Sequence, residues 1–344
     1  MFYKIYHDTI PPYLLEIMNT NIFTRLKDIG MNCGMEYTQF QTFKNSFGVS
    51  RYDHSIGVSL ITYHFTHDKH ATVAALLHDI ATPVFAHVID FLNNDYEKQE
   101  STEAETKKMI FNSRELQKIF LKYEIDINLI YDYHKYPIAD NESPKLSADR
   151  LEYTLANAYY YNFLSVEQIK SIYYDLIIND KKDEIIFKSK DKAIMLTKVM
   201  FQCSRVYTSD ENRYCMEYLA NLLKTALTKK LITQDDLYTN ESSVIKNICK
   251  DKELSDKWEA FCWRTTSRLD GRGRSSMHWN DTTACALLPR ATRSRRTTRC
   301  RNSTIRKATS NDKSHHSCAL HATATTMFSV TIAGQGTAID VSGK

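Results

Sequence analysis

Two side chains that can ligate a metal, His78 and Asp79, stand side by side after the apolar run ATVAALL. In that setting both are expected to be buried, and a buried ionisable group needs a partner. Two more ligand types sit in similar surroundings: His54 in SRYDHSIGV and Asp149 in KLSADRLEY. Imidazole and carboxylate together suit a borderline or hard divalent cation, with Mn, Fe, Co, Ni, Zn or Mg as the candidates. Such an ion can lower the pKa of a water and polarise a phosphoryl oxygen, so the chemistry indicated is hydrolysis at phosphorus. Other histidines carry less weight. His67-Asp68 lies in the polar FTHDKH, and His64, His67 and His70 have polar neighbours, which marks them as helix decoration.

The three segments RYDHSIGV, LLHDIATPVFAHVIDF and LSADRLEYTL resemble, in order and flanks, the metal-ligand segments of HD-domain phosphohydrolases. They are nearest in style to the dNTP triphosphohydrolase (dGTPase-like) branch, and the likeness covers roughly residues 20–175. The resemblance implies that His54, His78, Asp79 and Asp149 hold the metal. It also implies roles around it: His87 and Asp90, three apart on one helix face, as catalytic groups, and Arg51 as a phosphate contact whose alternative is an ion pair with Asp53. Tyr153, four residues after Asp149, is similar to a tyrosine of the nucleotide pocket, with a packed core tyrosine as the alternative. Where that branch has a second histidine, four residues after the paired one, this chain has Thr82. A hydroxyl can bond phosphate but cannot act as an acid near neutral pH, which loosens the tie to triphosphate chemistry. Only Glu100 remains of the His-Glu pair the branch carries nearby, and first-turn acids are also ordinary helix chemistry. His134 and Lys145, on the irregular stretch before Asp149, are read as substrate-binding residues of a covering loop.

These residues need elements to position them. Apolar residues recur at i, i+3, i+4 and i+7 through most of the first 262 positions, and strand signals are nearly absent, so the expected class is all-α. Helices are expected over Pro12–Asn19, His54–Thr66, Lys69–Asp79, Val84–Asn93, Ser101–Phe111, Ser113–Tyr123, Ile127–His134, Ala148–Tyr161, Val166–Ile177, Lys190–Ser204, Asp210–Thr228 and Thr233–Asn240. Ser165 and Thr233 are expected N-caps. A short hairpin is expected over Tyr37–Phe43, and KKDEIIFKSKDK reads as a solvated loop and helix start.

The chain divides by composition. Residues 1–175 carry the HD-like segments, and 176–262 read as helices that pack on that core and could pair two copies. All 21 tyrosines lie at or before Tyr238, whereas the tail 263–344 is rich in Arg, Thr, Ser and Ala and has no apolar stripe. It is expected to be low in order. Its arginines would suit a nucleic-acid arm, but the switch of the whole composition favours an out-of-frame or fused translation. A net charge of +4, from 45 basic and 41 acidic side chains, gives no global pull toward nucleic acid. The eight cysteines form no CxxC, which argues against a disulfide scaffold or thiolate zinc site. No long apolar span appears, and a cytoplasmic location without membrane contact is expected.

The function expected is metal-dependent hydrolysis of a nucleotide phosphate ester or anhydride, a (d)NTP included. Its alternatives are a phosphodiesterase or alarmone hydrolase acting on a signalling nucleotide, and a degenerate HD module that binds a nucleotide without turnover.

Overall fold

Short polar caps alternate with apolar stripes along the chain, and most of the longer helices begin at such a cap. The computed structural model describes residues 2–93, 103–265, 329–333 and 338–340. Among them are thirteen helices: α1 (Pro12–Met18), α2 (Asn21–Thr24), α3 (Arg51–Thr66), α4 (Lys69–Leu77), α5 (Val88–Asn93), α6 (Glu103–Asn112), α7 (Arg114–Lys122), α8 (Ala148–Tyr160), α9 (Val166–Tyr173), α10 (Lys190–Tyr207), α11 (Asp210–Thr228), α12 (Glu241–Ile248) and α13 (Lys252–Cys262). The class is all-α, as the periodicity implies, and no helix of the described residues is long and apolar enough to cross a membrane.

The three helices that matter most for chemistry are capped by side chains. Ser50 accepts from Asp53 N–H at the start of α3, Asp68 from Ala71 N–H at α4, and Ser147 from Arg150 N–H at α8. Each such cap stabilises its helix by about 1 kcal/mol and fixes where the first turn begins. His67, left-handed at φ 52°, ends α3, so α4 follows after a two-residue turn. Packing joins α4 and α8 to α3, and Ser59 Oγ on α3 donates to the carbonyl of Thr72 on α4. Ile56, Val58, Leu60, Val73, Leu76, Leu77, Leu151 and Leu155 are buried in this core. The later helices belong to the same hydrophobic core, with Leu219, Leu223, Val244, Ile248 and Phe261 buried in it.

Ser165 caps α9 in a reciprocal capping box with Gln168, as expected. Thr233 also caps, accepting from Asp236 N–H at 3.3 Å, but it starts only the 3-10 turn Asp235–Tyr238. Other expectations are corrected. The Tyr37–Phe43 hairpin is instead two 3-10 turns, Met35–Tyr37 and Gln41–Phe43, because Phe40 and Phe43 turn inward together. Ile127–His134 is likewise two 3-10 turns, Ile127–Leu129 and Tyr133–Lys135, capped by Asp126 and Asp132, whose carboxylates hold the next turn locally. The helix expected to reach Ile177 stops at Tyr173, and Leu176–Ile178 becomes strand β1. Its partner β2 (Ile185–Phe187) lies in the stretch read as solvated, and all three of its residues are buried. The pair is antiparallel, with Leu176 opposite Phe187 and Ile178 opposite Ile185.

Within the tail, β3 (Ser329–Thr331) pairs antiparallel with β4 (Ala338–Asp340). Ile332 bridges Phe187, Ala333 N–H donates to the Phe187 carbonyl at 2.8 Å, and Val330 and Ile332 are buried. Glu100 and most of the tail lie outside the described residues.

Candidate metal centre

Helix α3 carries His54 in its first turn, α4 runs into His78 and Asp79, and α8 carries Asp149 in its first turn. One ligand atom each from His54, His78 and Asp149 falls within 4.8 Å of the others. His54 Nε2 is 3.1 Å from Asp149 Oδ1, and His78 Nε2 is 4.0 Å from the same oxygen. Asp79 Oδ2 joins them, 3.8 Å from His54 Nε2 and 3.5 Å from His78 Nε2. Two imidazole nitrogens and two carboxylates fit a divalent cation, and the four sequence candidates therefore converge.

The fit is strengthened by what the ligands do with their other atoms. His54 Nδ1 donates to Glu152 Oε2 at 2.6 Å, and His78 Nδ1 to the Ala75 carbonyl at 2.8 Å. Both Nε2 atoms are thereby turned to the centre, the arrangement by which outer partners fix ligand tautomer and orientation. Gly57 makes room for Glu152: a Cβ there would lie 2.6 Å from its Cγ. Asp79 is held on both sides, accepting from Arg51 Nη1 at 3.0 Å and from the Thr82 hydroxyl at 2.7 Å. Burial would raise the Asp79 carboxyl, but Arg51, the two imidazoles and Thr82 hold it well below the carboxylate range. Burial likewise pulls His54 down, and the bonds to Asp149 and Glu152 outweigh it, leaving its imidazole raised to about 10. The buried Arg25 guanidinium adds a brace, donating to the carbonyls of Ile80 and Thr82 just after the paired ligands, and of Thr239.

The remaining sequence candidates divide. Arg51 pairs with Asp79, not Asp53, and Thr82, expected as a phosphate contact, spends its hydrogen on Asp79. His87 and Asp90 face each other at 3.1 Å, Asp90 buried and His87 with 45% of its side chain exposed. They follow a turn in which Phe85 and Ala86 are both left-handed, a conformation that bulky residues adopt only under constraint. His134 Nδ1 meets Asp140 at 2.8 Å, and its ring packs on Tyr133, 4.4 Å between centroids. Lys145 is bound to Asp183 at 2.6 Å and is not brought to the metal ligands. Tyr153 packs beside Tyr207, its hydroxyl raised by burial and then by Asp149.

Sequence reasoning missed Glu152, Arg25 and Tyr133. Glu152 carried a signal, since it lies one turn after Asp149 on the same helix. Tyr133, whose ring lies 5.0 Å from that of His78, and Arg25 come from distant segments that no local pattern ties to the ligands.

Known proteins bear on this geometry. The family model of the HD domain matches residues 51–158. The uncharacterized protein YdhJ of Bacillus subtilis is 28% identical over 203 residues, 58% of this chain and 61% of that protein. The metal-dependent phosphohydrolase cns2 of Cordyceps militaris is 28% identical over 161 residues, 47% of this chain and 45% of that protein. The chain thus spans less than two thirds of the length of either relative. A hypothetical protein from Aquifex aeolicus shares the fold, with a TM-score of 0.56 at 18% identity over 73% of this chain and 71% of that one. The matched span contains all four converging ligands, so the chain carries an HD domain at residues 51–158.

Proposed function

We propose that this protein is a metal-dependent phosphohydrolase acting on a phosphate ester or anhydride of a nucleotide, a (d)NTP among the candidates. The observation that carries the reading is the convergence of His54, His78 and Asp149, each presenting one ligand atom within 4.8 Å of the others, with Asp79 alongside. The metal-dependent phosphohydrolase among its relatives supports the same reaction class. A divalent ion held there supplies an activated water and polarises the phosphoryl group. The chain's own residues do the rest. Glu152 and the Ala75 carbonyl keep the imidazoles aimed inward, while Arg51 and Thr82 fix the carboxylate of Asp79. Asp90 orients His87 through Nδ1, which leaves the exposed Nε2 to hold or deliver a proton. Thr82 is committed to Asp79, so proton delivery at the position where the triphosphohydrolase branch has a histidine falls to another group, and His87 is the one we assign.

The test is elemental analysis of the purified protein, followed by a nucleotide panel with products weighed by mass spectrometry. Release of phosphate, pyrophosphate or triphosphate, or opening of a cyclic ring, gives distinct masses. Asp79→Ala is expected to reduce turnover to background, and activity that survives this change would sink the assignment.

A further inference from the structure

The aromatic ring against His78 does more than fill space. Tyr133 sits in the 3-10 turn Tyr133–Lys135, which packs on α4, and its ring lies 5.0 Å from the His78 ring at a 36° tilt. It also meets the ring of His134, at 4.4 Å and 41°. His134 is in turn fixed by Asp140, which also pairs with Arg150, the residue directly after the ligand Asp149. The turn is therefore keyed to two of the three ligand-bearing helices.

The hydroxyl behaves differently from the ring. No donor or acceptor among the described residues meets the Tyr133 Oη, and it is not among their buried, unpartnered polar atoms, so it reaches an open surface. The charges that act on it are the carboxylates of Asp149, Asp140 and Asp79, which places it at the mouth of the metal centre. A neutral phenol in that position offers one hydrogen and, with its ring already engaged by two imidazoles, no free platform for a base. Hydrogen bonds from a neutral donor to an anionic oxygen are the stronger kind.

Resting on the phosphohydrolase reading, we propose that the Tyr133 hydroxyl donates a hydrogen bond to a phosphoryl oxygen of the substrate held at the metal centre, while its ring backs His78. Tyr133 is then a substrate-contacting residue, and the ring and hydroxyl have separable roles.

The experiment compares manganese-loaded wild type with Tyr133→Phe and Tyr133→Ala. Three readouts are taken: bound manganese by elemental analysis, melting temperature, and inorganic phosphate affinity by calorimetry. The expected result is that Tyr133→Phe keeps wild-type manganese and melting temperature but binds phosphate roughly 10- to 100-fold more weakly. Tyr133→Ala, lacking the ring as well, is expected to lose manganese too. Unchanged phosphate affinity in Tyr133→Phe would overturn the donor role, and so would loss of manganese in that variant, because the residue would then act through His78. A wild type that binds manganese but no phosphate would overturn the phosphohydrolase reading and this inference with it, an outcome distinct from failure of the variant alone.

Discussion

At the residue scale, the four ligands were legible because each lies in a segment whose flanks are distinctive, and the outer partners were less so. Glu152 is the instructive case. It is 2% exposed, donates nothing, and accepts from His54 Nδ1 at 2.6 Å and from the Tyr6 hydroxyl at 3.4 Å. A helical glutamate one turn from a ligand reads from sequence as a solvated side chain, because nothing local announces that Gly57 of another helix has opened a space for it. The carboxylate raises the basicity of His54 and holds its ring, and loss of such outer partners costs about 10- to 100-fold in metal affinity. Glu152→Gln keeps the shape and an acceptor oxygen but removes the charge. It is therefore expected to weaken manganese binding about 10-fold, measured by competition with a chelator of known affinity. An unchanged affinity would mean that packing alone orients His54.

At the element scale, helix α12 ties two distant segments to the ligand helices, and it does so through a pair of buried acids. Glu241, in the first turn of α12, accepts from Gly30 N–H at 2.9 Å, Phe85 N–H at 3.1 Å and the Tyr37 hydroxyl at 2.7 Å. Gly30 bridges Ser50, the cap of α3, and Phe85 belongs to the left-handed turn beyond Asp79, so one carboxylate braces both approaches to the site. Removing it by Glu241→Ala leaves three buried donors unpaired, at about 1–3 kcal/mol for each, and should lower stability accordingly in urea unfolding. Glu36 is the opposing member. Both its oxygens are buried without a hydrogen-bond partner, one of them where a Gly30 side chain would stand. Burial, and then the charge of Glu241, raise its carboxyl to about 8. The folded state therefore keeps a proton that the unfolded chain releases, and stability must fall as pH rises from the unfolded carboxylate range toward the raised folded value. Glu36→Gln is expected to flatten that slope and to raise the melting temperature at about pH 8 by a few degrees. A slope that persists in the variant would assign it to another group. Neither α12 nor its role was legible, since ESSVIKNI is too short and polar for its periodicity to stand out.

At the scale of the whole molecule, composition and periodicity were sufficient for the all-α class, because long amphipathic stripes carry their own phase. They failed at short elements whose identity is set by tertiary partners. Leu176–Ile178 reads as the end of a helix, and Ile185–Phe187 as part of a charged loop, until each supplies the other's hydrogen bonds. The hairpin matters beyond itself, because Ile185 N–H donates to the Leu146 carbonyl, one residue before the Ser147 cap of α8 and three before Asp149. The division at residue 175 is likewise a division of sequence more than of core, since Val84 N–H donates to the Leu237 carbonyl and Arg25 to that of Thr239. A chain ending at Asp175 is accordingly expected to retain no manganese, having lost the braces of the turn after Asp79 and of the loop before Asp149. A chain ending at Thr265 keeps Arg264, whose carbonyl accepts from Gln39 N–H and whose guanidinium lies 4.5 Å over the Tyr214 ring. It should bind manganese with full-length stoichiometry and melt a few degrees lower, because Val330 and Ile332 no longer cover the edge of β2. Elemental analysis and thermal melting of the two truncated chains beside the full chain decide the matter. Full manganese binding by the chain ending at Asp175 would show that the later helices are dispensable to the site.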